Sequence, residues 1–193
     1  MGERTAIFLD RDGTINVEKN YLHLAKDWDW IPGAIDALSR FKLAGYLIVV
    51  ISNQAGLARG YYRESDILDL HTWVNRQLSS SHAKIDAFYF CPHHPDYSTG
   101  GCDCRKPLPG LILRAAEKWN IDIPGSWMIG DKLSDVQAGF AAGCQNLLVL
   151  TGYGAEVSRN QLPKGTHIAK DLVEASQYIL SRKPSTKRDS VQS

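Results

Sequence analysis

The chain of 193 residues reads as an α/β protein with three layers, a parallel sheet between two sets of helices. Three observations predict this. Short apolar runs alternate with segments of helical periodicity along most of the sequence. The runs are continuous rather than alternating, as expected of strands buried on both faces. Polar residues able to handle phosphate or a cation follow the carboxyl ends of the runs, where open, Rossmann-like sheets bind their ligands.

The elements follow in order. Residues 5–10 form a buried strand on Ala6-Ile7-Phe8-Leu9, and Pro32-Gly33 opens a helix over 33–43 in which Ile35, Leu38 and Phe41 recur at helical spacing. Residues 46–51 are a second apolar strand running into Ser52-Asn53-Gln54. The helix over 64–78 is expected to turn Ile67, Leu68, Leu70, His71, Val74 and Leu78 inward. A third strand spans 85–90, and the stretch 91–107, rich in Pro, Gly, His and Cys, has no regular pattern. Next come a helix over 110–119, a strand over 126–130 ending at Asp131, a helix over 135–142 closed by Gly143, and a strand over 146–150. A sixth strand at 166–169 and a helix over 172–180 complete a single domain over residues 1–181, and the polar, charged residues 182–193 are expected to be a disordered tail.

Composition excludes several classes of function. Apolar residues make up 44% and charged residues 22%, and a net charge of +1 supplies no field for gripping a polyanion, so nucleic acid is not expected as a partner. No apolar stretch approaches the roughly 20 residues that span a bilayer, and Met1-Gly2-Glu3-Arg4 does not begin a secretory signal, so no membrane partner and a cytoplasmic location are expected. In that reducing setting the four cysteines, Cys91, Cys102, Cys104 and Cys144, point to metal binding before disulfides. A monomer is expected, since no pairing element stands out.

Asp10-Arg11-Asp12-Gly13-Thr14 carries the most chemistry. Residues i and i+2 of a strand face the same way, so Asp10 and Asp12 can address one ligand as the first strand ends, and Gly13 permits the turn behind them. One carboxylate suits a nucleophile or cation ligand and the other a general acid and base. Asp-Gly pairs also mark ordinary turns, and Ser52 or Lys106 alone would be an ordinary turn or surface residue. Four strand ends with complementary chemistry are not explained by capping.

Taken together, Asp10-Arg11-Asp12-Gly13-Thr14, Ser52, Lys106 and Gly130-Asp131 resemble the four motifs of the haloacid dehalogenase-like phosphatases, a resemblance that covers nearly the whole chain. More narrowly, Asn53-Gln54-Ala55-Gly56-Leu57-Ala58-Arg59-Gly60, Cys91-Pro92-His93-His94-Pro95, Cys102-Asp103-Cys104-Arg105-Lys106-Pro107 and Gly130-Asp131-Lys132 are similar to the family of D-glycero-D-manno-heptose 1,7-bisphosphate 7-phosphatases, close to the histidinol-phosphate phosphatases. Position 52 holds Ser where Thr is frequent, which keeps the hydroxyl.

Phosphate monoester hydrolysis needs a nucleophile, a proton for the leaving oxygen and positive charge around the phosphate. Asp10 is expected to attack phosphorus, and Asp12 to protonate the leaving sugar oxygen and then activate water. Asp10, the backbone carbonyl of Asp12, and Asp131 offer hard oxygen ligands suited to Mg²⁺. Ser52 and Lys106 are expected to hold phosphate oxygens. Asp135 reads as a helix cap or a partner for Lys106 or the metal, and Lys132 as a substrate contact or as compensation for the acidic cluster.

Cys91-x-His93 and, eight residues on, Cys102-x-Cys104 have the composition of a closed structural Zn²⁺ site. Unliganded thiols and a disulfide are the alternatives. The resemblance supports zinc and points to His93 rather than His94. Such an ion would brace the loop that ends in Arg105 and Lys106. Cys144 reads as a small buried apolar residue. The intervals between motifs leave no room for a separate cap domain, so specificity falls to short loops: Glu18-Lys19-Asn20-Tyr21, the segment from Asn53 through Gln54 to Arg59, and the Cys/His loop. Within the resemblance, Arg105 is the candidate for a distal anion of a small phosphorylated sugar, the alternative being a local pair with Asp103. The chemistry alone also admits histidinol phosphate or another small ester, and a non-catalytic phosphosugar-binding protein is the remote alternative.

Overall fold

The computed structural model describes residues 4–182, so the tail predicted over 182–193 lies, after Arg182, outside the described residues. Six parallel strands form one sheet in the order β3-β2-β1-β4-β5-β6, with β1 at Ala6–Leu9, β2 at Leu47–Asn53, β3 at Ala87–Cys91, β4 at Trp127–Gly130, β5 at Gln145–Val149 and β6 at His167–Ala169. The helices are α1 (Ala34–Leu43), α2 (Glu64–Gln77), α3 (Gly110–Trp119), α4 (Leu133–Ala142) and α5 (Leu172–Ser181).

Alternation along β1 shows how the layers are built. Ile7 and Leu9 pack with Leu38 and Phe41 of α1, Leu70 and Val74 of α2, and Ala175 and Ile179 of α5. Ala6 and Phe8 face the other way, onto Leu111, Ile112 and Ala115 of α3 and Ala138 of α4. All four β1 side chains are fully buried. Each large one stabilises the fold by about 1.5–3 kcal/mol through apolar burial, and both faces of the sheet contribute.

The predicted elements are all present, with shifts that have local causes. α4 starts at Leu133, not at 135, because Asp135 sits within its first turn and accepts the Lys132 backbone N–H at 2.8 Å. β2 runs on through Ser52 and Asn53, which pair with Phe90 and Cys91 of β3, so both are strand residues rather than loop residues. α5 extends to Ser181. Leu68, expected on the inner face of α2, is 50% exposed, since the apolar stripe of that helix is narrower than its composition suggested. Three 3-10 turns, Ala25–Asp27, Gly154–Glu156 and Arg159–Gln161, had no legible signal. Among the described residues no folded module is inserted between the strands, and no helix is long and apolar enough to cross a membrane.

Candidate active site

Strand order reverses between β1 and β4, which are neighbours in the sheet although separated by two other strands in the chain. Their ends place Asp10 and Asp131 side by side in the crevice where such sheets bind ligands. Carboxylate oxygens of Asp10, Asp131 and Asp135 all lie within 4.8 Å of one another, and all three residues are buried. Lys106 comes from the loop before α3. Its Nζ donates to Asp10 Oδ1 at 2.6 Å and to the Ile51 carbonyl at 2.7 Å, and lies 2.7 Å from Asp135 Oδ1.

Three carboxylates around one ammonium leave the crevice short of positive charge. Burial, reinforced by Asp10 and Asp135, pushes the Asp131 carboxyl up to about 8. Asp135 is pushed up to about 6, mainly by burial, with Lys106 pulling the other way. Burial also works against the Lys106 charge, but Asp10 and Asp135 outweigh it and hold the ammonium above its ordinary range. Asp131 Oδ1 is buried and has no hydrogen-bond partner, while Oδ2 accepts the Tyr153 N–H at 2.9 Å. An orphaned carboxylate oxygen beside two further carboxylates is a donor set that fits a hard divalent cation such as Mg²⁺.

Two glycines let Asp131 sit there. Gly13 (φ +86°) and Gly152 (φ +54°) lie against each other and against the same carboxylate oxygen, and a Cβ on either would lie 2.2 Å from Asp131 Oδ2. The Thr151 hydroxyl donates to the Gly13 carbonyl at 2.6 Å and ties these two turns together.

Asp12 lies beside the cluster, its carboxylate held by neighbours. Arg11 Nε and NH2 donate to Asp12 Oδ2 and Oδ1, each at 3.0 Å, and Asn16 Nδ2 donates to Oδ1 at 2.9 Å. Gln54 Nε2 reaches Asp12 Oδ2 at 3.5 Å and the Ser52 hydroxyl at 3.3 Å, while its carbonyl accepts the Tyr62 hydroxyl at 2.8 Å. Burial pushes Tyr62 up to about 12, keeping it a neutral donor.

The crevice has a volume of about 180 Å³, lined by Asp10, Asp12, Lys106 and Asp135 at its floor and Glu18, Asn20, Tyr21, Asn53, Gln54, Tyr62, Lys132 and Tyr153 around it. A wider groove of about 840 Å³ between the ends of α1 and α2 lies at the opposite, amino end of the strands and contains no carboxylate cluster. Of the residues predicted to meet the substrate, Glu18 and Lys132 form an ion pair at 2.9 Å, with Lys132 also 4.9 Å from the Tyr153 ring centre. Burial opposes the Lys132 charge, but Asp10, Glu18 and Asp131 together raise its affinity for its proton. Asn53 lines the crevice, yet its amide is used on Lys106: Nδ2 donates to the Lys106 carbonyl at 3.1 Å and Oδ1 accepts the Lys106 N–H at 3.0 Å.

Three residues predicted to meet the substrate are not among those lining the crevice: Lys19, Arg105, and Ser52, which is buried beneath Gln54. Lys19 turns outward to Asp29, 2.5 Å away. Arg105 is not among the lining residues; its NH1 donates to the His93 carbonyl at 3.0 Å, whereas Asp103 pairs with Arg114. Sequence reading missed Gly152, Tyr62 and Tyr153, which bear no motif signal, whereas Asp135 takes both expected supporting places, capping α4 and pairing with Lys106.

The Cys/His loop closes on itself. Cys91, the last residue of β3, lies 3.0 Å from Cys104 and 3.8 Å from Cys102 (Sγ to Sγ), and His93 Nδ1 is 3.5 Å from Cys91 Sγ and 3.3 Å from Cys104 Sγ. These four donor atoms fall within 4.8 Å of one another, and no disulfide joins the cysteines. A tetrahedral ion about 2.3 Å from each thiolate spaces its sulfurs by about 3.8 Å; Cys91 and Cys102 stand at that separation while Cys91 and Cys104 are closer, and three soft sulfurs with one imidazole fit zinc in kind. Cys144 stands apart, its thiol pushed up to about 12 by burial, as a small apolar residue would be placed.

Comparison with known proteins agrees with this geometry. The family model described as "HAD-hyrolase-like" matches residues 103–175. Fold and crevice define a haloacid dehalogenase-like hydrolase. A solved structure titled D,D-heptose 1,7-bisphosphate phosphatase from B. bronchiseptica, complexed with magnesium and phosphate, is 36% identical with a TM-score of 0.85, covering 93% of this chain and 99% of that one. The D-glycero-beta-D-manno-heptose-1,7-bisphosphate 7-phosphatase of Yersinia pestis is 45% identical over 76% of this chain and 81% of its own length, and that of Pasteurella multocida 37% identical over 91% and 97%. The chain belongs to this family of heptose bisphosphate phosphatases, which are phosphoric monoester hydrolases.

Proposed function

We propose that this protein removes the 7-phosphate of D-glycero-β-D-manno-heptose 1,7-bisphosphate, with Mg²⁺, through an aspartyl phosphate on Asp10. The observation that carries the reading is the buried crevice at the sheet's reversal point, where Asp10 meets Lys106 at 2.6 Å and Asp131 presents an orphaned oxygen. Family membership narrows the substrate, and the β anomer follows the names of the relatives.

Asp10, Asp131 and the backbone carbonyl of Asp12 would hold Mg²⁺, which supplies positive charge to the phosphate oxygens. Asp10 Oδ attacks phosphorus as the bond to the sugar oxygen breaks, and Asp12 gives that oxygen its proton. Asp12 then takes a proton from water, whose oxygen attacks phosphorus and releases Asp10 and inorganic phosphate. Lys106 and Ser52 bind phosphate oxygens, and Asp135, through its ion pair with Lys106, keeps the ammonium aimed at the crevice. Glu18, Asn20, Tyr21 and Lys132 meet the sugar at the crevice wall. Arg105, set just outside the crevice, takes the second phosphate as a charged fork.

The Cys91, His93, Cys102 and Cys104 set holds a structural Zn²⁺ that braces the loop delivering Lys106. We place the enzyme in the cytoplasm as a monomer, in the synthesis of nucleotide-activated heptose. Phosphate release by the purified protein with Mg²⁺, compared over both heptose bisphosphate anomers and histidinol phosphate, tests the reading. Preference for the β anomer is the expected result, and preference for histidinol phosphate would overturn the substrate assignment.

A further inference from the structure

Arg11 is fully buried, an unusual place for a guanidinium, and it is not among the residues lining the crevice. Its Nε and NH2 grip both oxygens of the Asp12 carboxylate at 3.0 Å, and the same NH2 donates to the Leu22 carbonyl at 2.6 Å. Leu22 is the buried anchor directly after Glu18, Asn20 and Tyr21, three residues of the crevice wall. Thus one rigid fork joins the proton-transferring carboxylate to the loop that meets the sugar. Asn16 completes the clamp on Oδ1 at 2.9 Å.

From this geometry we infer that Arg11 is a positioning residue: it fixes the rotamer of Asp12 in register with the loop ending at Leu22, so that the carboxyl faces the leaving oxygen only when that loop is seated. The inference rests on the proposed acid and base role of Asp12. A free carboxylate samples several rotamers. Two parallel N–H bonds from a planar guanidinium restrict it to one, which a single ammonium cannot do.

The test uses leaving groups. An alkoxide leaving from the sugar needs the Asp12 proton, whereas nitrophenolate leaving from p-nitrophenyl phosphate needs little help. Single-turnover rates of the first step are measured with heptose bisphosphate and p-nitrophenyl phosphate for the wild type, Arg11→Met, Asp12→Asn and the double variant, with thermal melting of each. Arg11→Met is expected to slow the sugar reaction by roughly 100-fold, and the nitrophenyl reaction at least about 10-fold less than that. The double variant should match Asp12→Asn to within about 2-fold, since both changes remove one function. Arg11→Lys, which keeps the charge without the fork, should lose an intermediate amount with the same selectivity, and it carries the test if Arg11→Met does not fold.

Equal losses with both esters in Arg11→Met or Arg11→Lys, or losses that multiply with Asp12→Asn, would overturn the inference and leave Arg11 merely structural. If Asp12→Asn itself showed no leaving-group selectivity, the acid and base assignment would fall and the inference with it, a result distinguishable from failure of Arg11 alone.

Discussion

The carboxylate crevice and the Cys/His loop meet at Lys106 but are held in place by different physics. Asp10 and Asp131 hang from the ends of two adjacent central strands whose residues are buried on both faces, so their separation is set by the core. The loop from Cys91 to Arg105 contains no helix or strand after its first residue, and one imidazole and three sulfurs converge inside it. A crevice built on a packed sheet should survive loss of its chemistry, whereas a loop closed by ligation should lose its shape with its ligand.

The largest effect that can break this contrast is Asp10→Asn. Turnover is expected to fall by at least about 10³-fold while the melting temperature stays near that of the wild type. Near-normal phosphate release would exclude Asp10 as nucleophile. Next is the loop. Elemental analysis should find one zinc per chain, and Cys102→Ala or chelation should lower the melting temperature and reduce activity roughly 10- to 100-fold, because the loop delivers Lys106. Unchanged stability together with absence of zinc would contradict the ligation picture.

A smaller change sharpens the crevice side. Gly152→Ala inserts a Cβ 2.2 Å from Asp131 Oδ2 and 2.7 Å from Gly13 Cα at a backbone φ of +54°, so Asp131 and the turn at Gly13 must shift. The Mg²⁺ concentration giving half-maximal activity should rise at least about 10-fold, since ligand-site supports of this kind are worth about that much. A Mg²⁺ titration indistinguishable from wild type would show that Asp131 tolerates displacement.

The smallest effect concerns His71, whose ring stacks on Phe88 at 4.1 Å with neither nitrogen bonded. Burial, helped by the Arg11 charge, lowers it to about 3 in the folded protein, against 6.5 for the free side chain. The unfolded chain binds the proton first, so the stability tied to neutral His71 is complete above about 6.5 and declines as the pH falls towards about 3. His71→Leu should therefore narrow the loss of unfolding free energy between pH 7 and pH 5 by about 2 kcal/mol, as read by urea denaturation at both values. An unchanged gap would mean that His71 finds a protonated form inside the fold.

Much of this protein was legible one segment at a time. Continuous apolar runs announced the strands, since residues buried on both faces need no polar alternation, and the Asp10-Arg11-Asp12-Gly13-Thr14 and Cys/His spacings announced the two clusters. Local pattern failed where a side chain's neighbour comes from far along the chain. Lys19 was read with the crevice loop yet pairs with Asp29, and Asn53 was read as a substrate contact yet spends its amide on the backbone of Lys106.

The sequence by itself therefore determined the layer architecture, the two carboxylates just after β1, the Cys/His cluster and the presence of Lys106, because these depend on residue type and short-range period. Only the tertiary structure decided that Asp135 shares Lys106 with Asp10, that Gly152 makes room for Asp131, and that Arg11 binds Asp12 to the Leu22 carbonyl. Each of those is a contact between chain segments brought together by strand order, and strand order is a property of the packed sheet rather than of any one stretch of residues.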